Sequence, residues 1–282
     1  MMAATQNLSI GLAAFVFLIA VVLPVEGIDD NLLLYLTFDN DTPGVTADVT
    51  GKTKGGKLVG GTRVIPGGVH ARALQLNGTN GFVEIELTDE MIEAERNSFT
   101  TDFWIQTQAK GIPPPEGVDR FVGLGIIGGF GPKTHFEGHW SILLLNEDFL
   151  RFFVVNVNSF VNDGKDGVIA ERPKINDGVW HHIAAVRDED NKQLRLYIDG
   201  NLAGEAQDLT RSLNSKPGDD KARTKIWLGN HLEVFYPVKF DEVRFWNKAL
   251  TSEEVSANMT TFAVDSYGKL ALTWGGVKSS FE

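Results

Sequence analysis

The feature that most constrains this chain is a series of short apolar or alternating segments, each separated from the next by turn residues. From Asn31 onward the segments are rich in Val, Ile, Leu, Phe and Trp and are interrupted by Gly, Asn, Asp and Pro. Side chains on a strand point alternately to opposite faces, so this pattern is typical of strands with one or both faces buried. We predict strands at 32–38, 73–76, 82–87, 99–107, 121–127, 140–145, 150–157, 180–187, 193–198, 202–206, 225–228 and 238–246.

The regular spacing of these strands predicts an all-β fold, an antiparallel β-sandwich or jelly roll. One helix is expected near the end of the region. Thr251 is followed three residues later by Glu254, which is the spacing of a capping box. The pattern therefore predicts one short C-terminal helix that begins after Thr251 and ends at about Met259.

The composition excludes several functional classes. The chain has 282 residues, of which 43% are hydrophobic, and a formal net charge of -11. Nucleic-acid binding needs a dense basic patch, which this sequence lacks, so we expect no nucleic-acid partner. The absence of cysteine excludes disulfides, thiolate nucleophiles and cysteine-ligated metal centres. The sequence contains no phosphate-binding loop of the type Gly-x-x-x-x-Gly-Lys-Ser/Thr, so no nucleotide partner is expected.

The N-terminal segment is typical of a secretory signal peptide. Residues 8–25 are almost entirely apolar, and Val25 and Gly27 lie at the -3 and -1 positions of a cleavage site. We therefore predict a signal peptide at 1–27, a folded domain at 28–259 and a C-terminal tail at 260–282. The protein is expected to be secreted, extracellular or at the cell surface, with the periplasm as an alternative. An uncleaved membrane anchor remains open, because an apolar stretch of about 18 residues is just long enough to span a bilayer.

Four segments, in this order, resemble a known family. They are LYLTFD at 34–39 with ALQLNG at 73–78, FTTDFWI at 99–105, DGVWHHIA at 177–184 with LYIDG at 196–200, and FDEVRFWNKAL at 240–250. Together they resemble the LamG-like jelly roll, the bacterial branch of the concanavalin A-like lectin/glucanase superfamily. The resemblance covers 31–258 and implies a concanavalin A-like β-sandwich that acts as a secreted binding module. Its expected partner is a glycan or an extracellular or cell-surface protein.

The resemblance also implies a structural Ca²⁺ site near the end of the first strand. Side-chain and backbone oxygens are the ligands that Ca²⁺ prefers. The predicted ligands are Asp39, Asp41, Asp48, Asn77 and Asp241, with Asp39 and Asp241 the strongest candidates. The alternative is that these acids are solvated residues of ordinary turns.

A glycan-binding protein needs exposed rings that stack on sugars and polar groups that bond the hydroxyls. Residues of these types in or beside the long loops are Trp140, His135, Asn230, His231, Phe235 and Tyr236. Most aromatic residues of a sandwich belong to its core, so a structural role is the alternative for each of them.

Two other functions remain open at this point. Glycoside hydrolases of the laminarinase type have the same fold and place two carboxyl groups about 5 Å apart on one strand face. Glu84 and Glu86 share a face under alternation, but the expected Glu-x-Asp-x-Glu arrangement is missing. We therefore predict that the protein is not an enzyme. The third alternative is a structural surface protein without a small ligand.

Overall fold

A computed structural model of the chain describes residues 29–39, 44–111, 124–130, 139–145, 148–155, 167–210, 225–231 and 234–260. The predicted signal peptide and the tail beyond 260 lie outside these ranges, as do Asp41 and His135. Within these ranges, no helix has both the length and the apolar character needed to cross a bilayer.

The described residues form short strands and two helices. The strands are β1 (Leu32–Leu36), β2 (Val45–Thr46), β3 (Gly56–Val59), β4 (Arg63–Pro66), β5 (Arg72–Gln75), β6 (Phe82–Glu86), β7 (Phe99–Gln106), β8 (Leu124–Phe130), β9 (His139–Leu144), β10 (Leu150–Val155), β11 (Val168–Ala170), β12 (Trp180–Asp188), β13 (Gln193–Ile198), β14 (Asn201–Gln207), β15 (Lys225–Leu228), β16 (Asn230–His231), β17 (Val234–Phe235) and β18 (Lys239–Trp246). The helices are α1 (Asp89–Arg96) and α2 (Ser252–Asn258).

The strands form two large antiparallel sheets and one short hairpin. Sheet A has the order β14-β13-β12-β7-β18-β5-β4, and β1 also pairs with β18. Sheet B has the order β11-β10-β9-β8-β15-β6-β3-β2, and β16 pairs with β17. Neighbours in each sheet run antiparallel, as in the β12–β7, β18–β7 and β15–β6 pairs. The predicted antiparallel β-sandwich is confirmed.

The hydrophobic core lies between the two sheets. On β7 the side chains of Phe99, Phe103 and Ile105 are fully buried in it, and the even-numbered positions of the strand point to the other face of sheet A. The ring of Phe99 lies 5.7 Å from that of Phe245 and 5.2 Å from that of Trp140, measured between centroids. Each such buried ring contributes about 1.5–3 kcal/mol relative to exposure, so this aromatic group fixes how the sheets face each other.

The outer face of sheet A, opposite the core, is covered in part by α2. Val255 of α2 and Leu250 before it pack on Tyr35, Trp246 and neighbouring residues in a second apolar cluster. The capping box predicted at Thr251 and Glu254 is present, and it begins the helix as expected. The helix therefore covers part of the outer face of sheet A.

The expectation of a single helix is wrong, because α1 follows β6. The Thr88 hydroxyl accepts a hydrogen bond from the Met91 amide at 3.3 Å, which makes Thr88 the N-cap. Met91 and Ala94, three residues apart, are buried against the core. The sequence indicates this helix by a capping residue, Thr88, that is followed by two acids. The indication is easily missed, because the alternating pattern of β6 comes directly before it.

A bulge in β18 shapes the region where the predicted calcium ligand Asp241 lies. The pairing of β18 with β7 shifts register between Asp241 and Arg244, and Glu242 has a φ of 54°. A bulge inserts an extra residue and redirects the side chains beside it. As a result Asp241 and Glu242, although consecutive in sequence, are both completely buried.

Candidate functional site

Three carboxyl groups and one imidazole meet where β1, the turn before β5 and the β18 bulge come together. We call Asp39, His70, Asp241 and Glu242 the acidic cluster. One ligand atom from each of Asp39, His70 and Glu242 lies within 4.8 Å of the others. His70 Nδ1 is 3.1 Å from Asp39 Oδ2, and the His70 backbone amide donates to Asp241 Oδ2 at 3.1 Å. Two of the predicted calcium ligands, Asp39 and Asp241, therefore contribute to one cluster.

The backbone turn before β5 brings these groups together. The amides of Gly67 and Gly68 both point at the carbonyl of Ala71, which closes a tight turn. A Cβ atom on Gly68 would lie 2.5 Å from Asp241 Oδ2, so only glycine lets the carboxylate approach this closely. The Arg72 amide then donates to Asp39 Oδ1 at 2.9 Å, which holds the first carboxylate against the same turn.

The acidic cluster carries more negative charge than its protein partners neutralise. Burial raises the pKa of Asp241 to about 8, and the nearby charges of Glu242 and Asp39 act in the same direction. Burial also raises the pKa of Glu242 to about 7, although the charge of Arg244 opposes the rise. Within the described ranges, Glu242 Oε1 is buried without a hydrogen-bond partner. Buried acids in this state favour either a proton or a bound cation.

A second group of buried charges lies farther along β18, beneath α2. Arg244 Nη1 is 3.1 Å from Asp102 Oδ1, and its Nη2 donates to Glu242 Oε2 at 3.0 Å and to the Tyr35 hydroxyl at 2.8 Å. Asp102 also lies within 3.2 Å of Trp246 Nε1, Asn258 Nδ2 and His182 Nε2. Burial opposes ionisation of Asp102, but His182 and Arg244 outweigh it and the net pKa is lowered. We call this group the Arg244 network, and its charges are paired.

Two of the predicted calcium ligands, Asp48 and Asn77, lie in turns outside the acidic cluster, and their role as ligands stays a prediction. The carboxylate of Asp48 accepts four hydrogen bonds, from the Tyr35, Thr50 and Thr53 amides and the Thr50 hydroxyl, so it organises its own turn. The Asn77 side-chain oxygen accepts three amide hydrogen bonds from the turn at 79–81. Because Gln75 pairs with Lys239, Asn77 lies beyond that pair and away from Asp241. Asp41 lies outside the described residues.

Four of the predicted glycan-binding residues do not lie on an open surface, and they are Trp140, Asn230, His231 and Tyr236. Trp140 and Tyr236 are completely buried in the core, and Trp140 Nε1 donates to Glu95 at 2.7 Å, so a ligand role for these two rings is wrong. Asn230 and His231 are also buried, on the β16–β17 hairpin. Their predicted role is wrong for the same reason, since no ring or amide is presented to solvent. His135 is outside the described part of the chain.

Sequence reasoning missed a different group of rings, on the outer face of sheet B. Phe82 and Trp227 lie on this face because Val83, Ile226 and Leu228, their neighbours along the strands, are in the core. The Phe82 ring is 6.0 Å from that of Trp227 and 6.1 Å from that of Phe235, and all three are partly exposed. We call these three residues the aromatic face. Of them only Phe235 was among the candidates, because an aromatic residue inside a strand is usually counted as core.

Two acids of β6 share this side of sheet B and bear on the hydrolase alternative. Glu84 Oε1 is 2.8 Å from Lys225 Nζ, and Glu86 Oε2 is 2.8 Å from Lys54 Nζ. The hydrogen bond from Lys54 lowers the pKa of Glu86. A general acid of a glycosidase needs the opposite, a carboxyl group held protonated by its surroundings. Glu86 therefore lacks the raised pKa that the general acid of a glycosidase needs.

Comparison with known proteins agrees with this architecture. The family model described as the concanavalin A-like lectin/glucanases superfamily matches residues 77–256. No curated protein matched the chain. Many solved structures are similar, and those at the top of the comparison are mostly toxin binding domains.

Three of these structures illustrate the likeness. The binding domain of Paraclostridial Mosquitocidal Protein 1 is 18% identical with a TM-score of 0.57, and the match covers 81% of this chain and 51% of that one. The botulinum neurotoxin DC binding domain in complex with SialylT is 16% identical with a TM-score of 0.57, covering 81% and 50%. Domain 4 of AbnA, a GH43 extracellular arabinanase from Geobacillus stearothermophilus, in complex with arabinotriose, is 18% identical with a TM-score of 0.56, covering 81% and 98%. The chain thus spans about half the length of the toxin domains and nearly all of the arabinanase domain, and at these identities the likeness shows the fold.

Proposed function

We propose that this chain, which belongs to the concanavalin A-like lectin/glucanase superfamily, is a secreted, non-catalytic module that binds glycans and is stabilised by calcium. The observation that carries the proposal is the aromatic face. Phe82, Trp227 and Phe235 present partly exposed rings on one side of sheet B, where the strands rather than loops hold them in place. A rigid set of rings on a sheet is suited to stacking against the apolar side of a sugar.

The polar groups beside the rings suit the same ligand. Lys225 and Glu84 pair across β15 and β6, on the face that carries Trp227. Their side chains are 35% and 20% exposed, so both retain hydrogen-bonding capacity toward solvent. The lysine donates and the carboxylate accepts, which is what neighbouring sugar hydroxyls require. Lys54 lowers the pKa of Glu86 on the same face, which is the opposite of what a general acid needs and supports binding without turnover.

Complexes among the similar structures support a glycan or protein partner. The arabinanase domain was solved with arabinotriose and the botulinum neurotoxin domain with SialylT. Another botulinum neurotoxin DC binding domain was solved with rat synaptotagmin II, which keeps a protein partner as the second candidate. The open aromatic face favours the glycan, since sugar stacking uses small groups of rings of this kind.

Calcium is proposed for the acidic cluster. The carboxylates of Asp39, Asp241 and Glu242 supply the hard oxygen donors that Ca²⁺ prefers, and the buried Glu242 Oε1 has no other partner among the described residues. Imidazole is a poor calcium ligand, so the role assigned to His70 is a hydrogen bond to Asp39. The ion would neutralise the excess negative charge and tie β1 to β18. Its role is structural.

A glycan array, read with calcium and with a chelator, tests the proposal. We expect binding to a limited set of glycans by the wild type and its loss in Trp227→Ala and Phe235→Ala. Phe149→Ala is the matched control, because the Phe149 ring lies under Lys174 at the β9–β10 turn and not on the aromatic face. An array that stays blank under both conditions contradicts the glycan proposal and favours a protein partner or a structural role.

A further inference from the structure

A pocket of about 340 Å³ opens at one end of sheet A, and none of its lining residues belongs to the aromatic face. Its walls come from the ends of β5 and β7, the start of β18 and the segment before β12. The lining residues are Gln75, Leu76, Gln106, Thr107, Gln108, Gly178, Pro237, Val238 and Lys239. The volume is at the lower end of the roughly 300–1,000 Å³ that small-molecule pockets span, which suits one or two sugar units.

The polar side of the pocket is a row across three strands. Gln75 of β5 pairs with Lys239 of β18, and Lys239 pairs with Gln106 of β7. Leu74 and Phe240, their neighbours along the strands, are in the core. The alternation of side chains therefore puts all three polar groups on the outer face of sheet A. The row is built into the sheet and does not depend on a loop.

Hydrogen bonds orient one part of the row and leave the rest available. Lys239 Nζ donates to Gln106 Oε1 at 2.8 Å, and Gln106 Nε2 donates to the Gly178 carbonyl at 2.9 Å. This chain of bonds fixes the lysine and uses one of its three N–H groups. The side-chain amides of Gln75 and Gln108 make no hydrogen bond to the described ranges. Each of them offers two donors and an acceptor to a ligand.

The backbone keeps the Gln108 side of the pocket open. Gly178 has a φ of 89°, and a Cβ atom there would lie 2.7 Å from Gln108 Nε2. A larger residue would push the Gln108 amide into the space that a ligand needs. Thr107 adds rigidity, because its hydroxyl donates to the Pro237 carbonyl at 3.0 Å and ties the two walls together.

The charge of the lining selects among ligands. Lys239 is the only cation among the lining residues, and none of them is Asp or Glu. Carboxamides bond neighbouring hydroxyls well because each hydroxyl both donates and accepts. The ammonium group adds a charge-assisted hydrogen bond to a carboxylate, which is about twice as strong as a neutral one. The expected ligand therefore carries hydroxyl groups next to a carboxylate, as an acidic sugar does.

We propose that this pocket is a second saccharide subsite and that it takes a uronate unit, with Lys239 on the carboxylate and Gln75 and Gln108 on the hydroxyls. The proposal deepens the proposed function, since it rests on the protein being a glycan binder. It uses a different surface, however, so the two sites are separable by mutation. A module with both sites binds acidic polysaccharides through two faces.

Isothermal titration calorimetry with trigalacturonate and its neutral counterpart galactotriose tests the assignment. The wild type is expected to bind trigalacturonate about tenfold more tightly than galactotriose, because a charge-assisted bond replaces a neutral one. Lys239→Met should remove that preference, and the double variant Gln75→Ala with Gln108→Ala should weaken both ligands about tenfold or more. Lys192→Met, at the β12–β13 turn, and Gln207→Ala, on β14, lie away from both surfaces, so they are the matched controls and should bind like the wild type.

Side-chain amide signals of Gln75 and Gln108 in NMR spectra give a second readout that does not need a variant. Both are expected to shift on addition of trigalacturonate. Equal binding by the wild type and Lys239→Met, or unshifted amides at saturation, overturns the proposal. Displacement of trigalacturonate by an equal concentration of acetate also overturns it, because that result indicates a simple carboxylate site.

Trp227→Ala separates this proposal from the failure of the aromatic face. If the variant retains trigalacturonate binding while array glycans are lost, both sites are supported. If array binding is unaffected by Trp227→Ala but Lys239→Met abolishes uronate binding, the aromatic face fails and the pocket stands.

Discussion

Polar groups are buried and paired where α2 covers the outer face of sheet A, whereas they are partly exposed on the outer face of sheet B. On sheet A, Arg244 and Asp102 are buried beneath α2, and each charge has partners within 3.2 Å. On sheet B, Glu84 and Lys225 are partly exposed and lie beside partly exposed rings. A face that is covered by a helix must satisfy its polar groups internally, whereas an open face keeps them for a ligand. Substitutions beneath α2 on sheet A should therefore affect stability, and substitutions on the aromatic face of sheet B should affect binding.

The largest effect is expected from breaking the Arg244 network. Arg244→Met leaves Asp102 and Glu242 buried without their cation, so the free energy of unfolding should fall by about 3–5 kcal/mol. Urea denaturation monitored by circular dichroism measures it. Arg63→Met, at an exposed position of β4, is the control and should change stability by less than about 0.5 kcal/mol. A loss below about 1 kcal/mol for Arg244→Met contradicts the account of a tightly coupled network.

The second effect concerns calcium and divides the predicted ligands. Calcium at a hundred times its dissociation constant should raise the free energy of unfolding by about 2.7 kcal/mol, and a chelator should reverse the gain. Asp241→Asn should abolish the response. Asp48→Asn should lower the melting temperature, because it disrupts the turn, yet keep the calcium response. Thermal melting with and without calcium measures both the stability and the calcium response of each variant. Loss of the calcium response in Asp48→Asn would favour the ligand set predicted from the sequence, which includes Asp48.

The acidic cluster should also make stability fall as pH rises when calcium is absent. Burial raises the pKa of Asp241 to about 8 and that of Glu242 to about 7, from ordinary values of 3.8 and 4.5. Between these limits the folded state holds more protons than the unfolded state, so raising the pH destabilises the fold. The charged and titratable groups that face these two carboxyl groups are Asp39, His70 and Arg244. Melting temperatures in chelator from pH 5 to 8 should decrease, and Glu242→Gln should flatten the trend.

The smallest effect on the fold is expected on the aromatic face. Phe235→Ala should weaken binding of an array-identified glycan about tenfold, which is about 1.4 kcal/mol. The loss of stability should be well below that of Arg244→Met, because Phe235 lies on a short hairpin and is partly exposed. Calorimetry and denaturation of the same preparation separate the two quantities. A large loss of stability with unchanged glycan affinity in Phe235→Ala would show that the Phe235 ring is structural. That result would contradict the proposed difference between the outer faces of sheets A and B.

The sequence predicted the fold well because alternation and turns are local signals. Segments such as 180–187 and 193–198 match β12 and β13 almost residue for residue. The site was harder, because it depends on register and on irregular backbone. Asp39 and Asp241 were found through the resemblance, but Glu242 joins them through a bulge that no alternation rule anticipates.

Errors in the ligand residues have a related cause. Trp140 follows a long loop in the sequence, which favours a position at the surface. In the structure β9 begins at His139, and the Trp140 ring lies in the core. Trp227 and Phe82 were passed over because a partly exposed ring inside a strand has the same sequence pattern as a buried one. Which face of a strand stays open depends on what covers the sheet, and that is a long-range property.

The central claim is that the protein binds a glycan and does not cleave it. The most direct measurement is calorimetric titration of the strongest array-identified glycan into the calcium-loaded wild type, followed by chromatography of the recovered glycan. Our account predicts saturable binding and a glycan recovered at its original length. Shortened oligosaccharides in the recovered sample, or no saturable binding by any glycan, would contradict it.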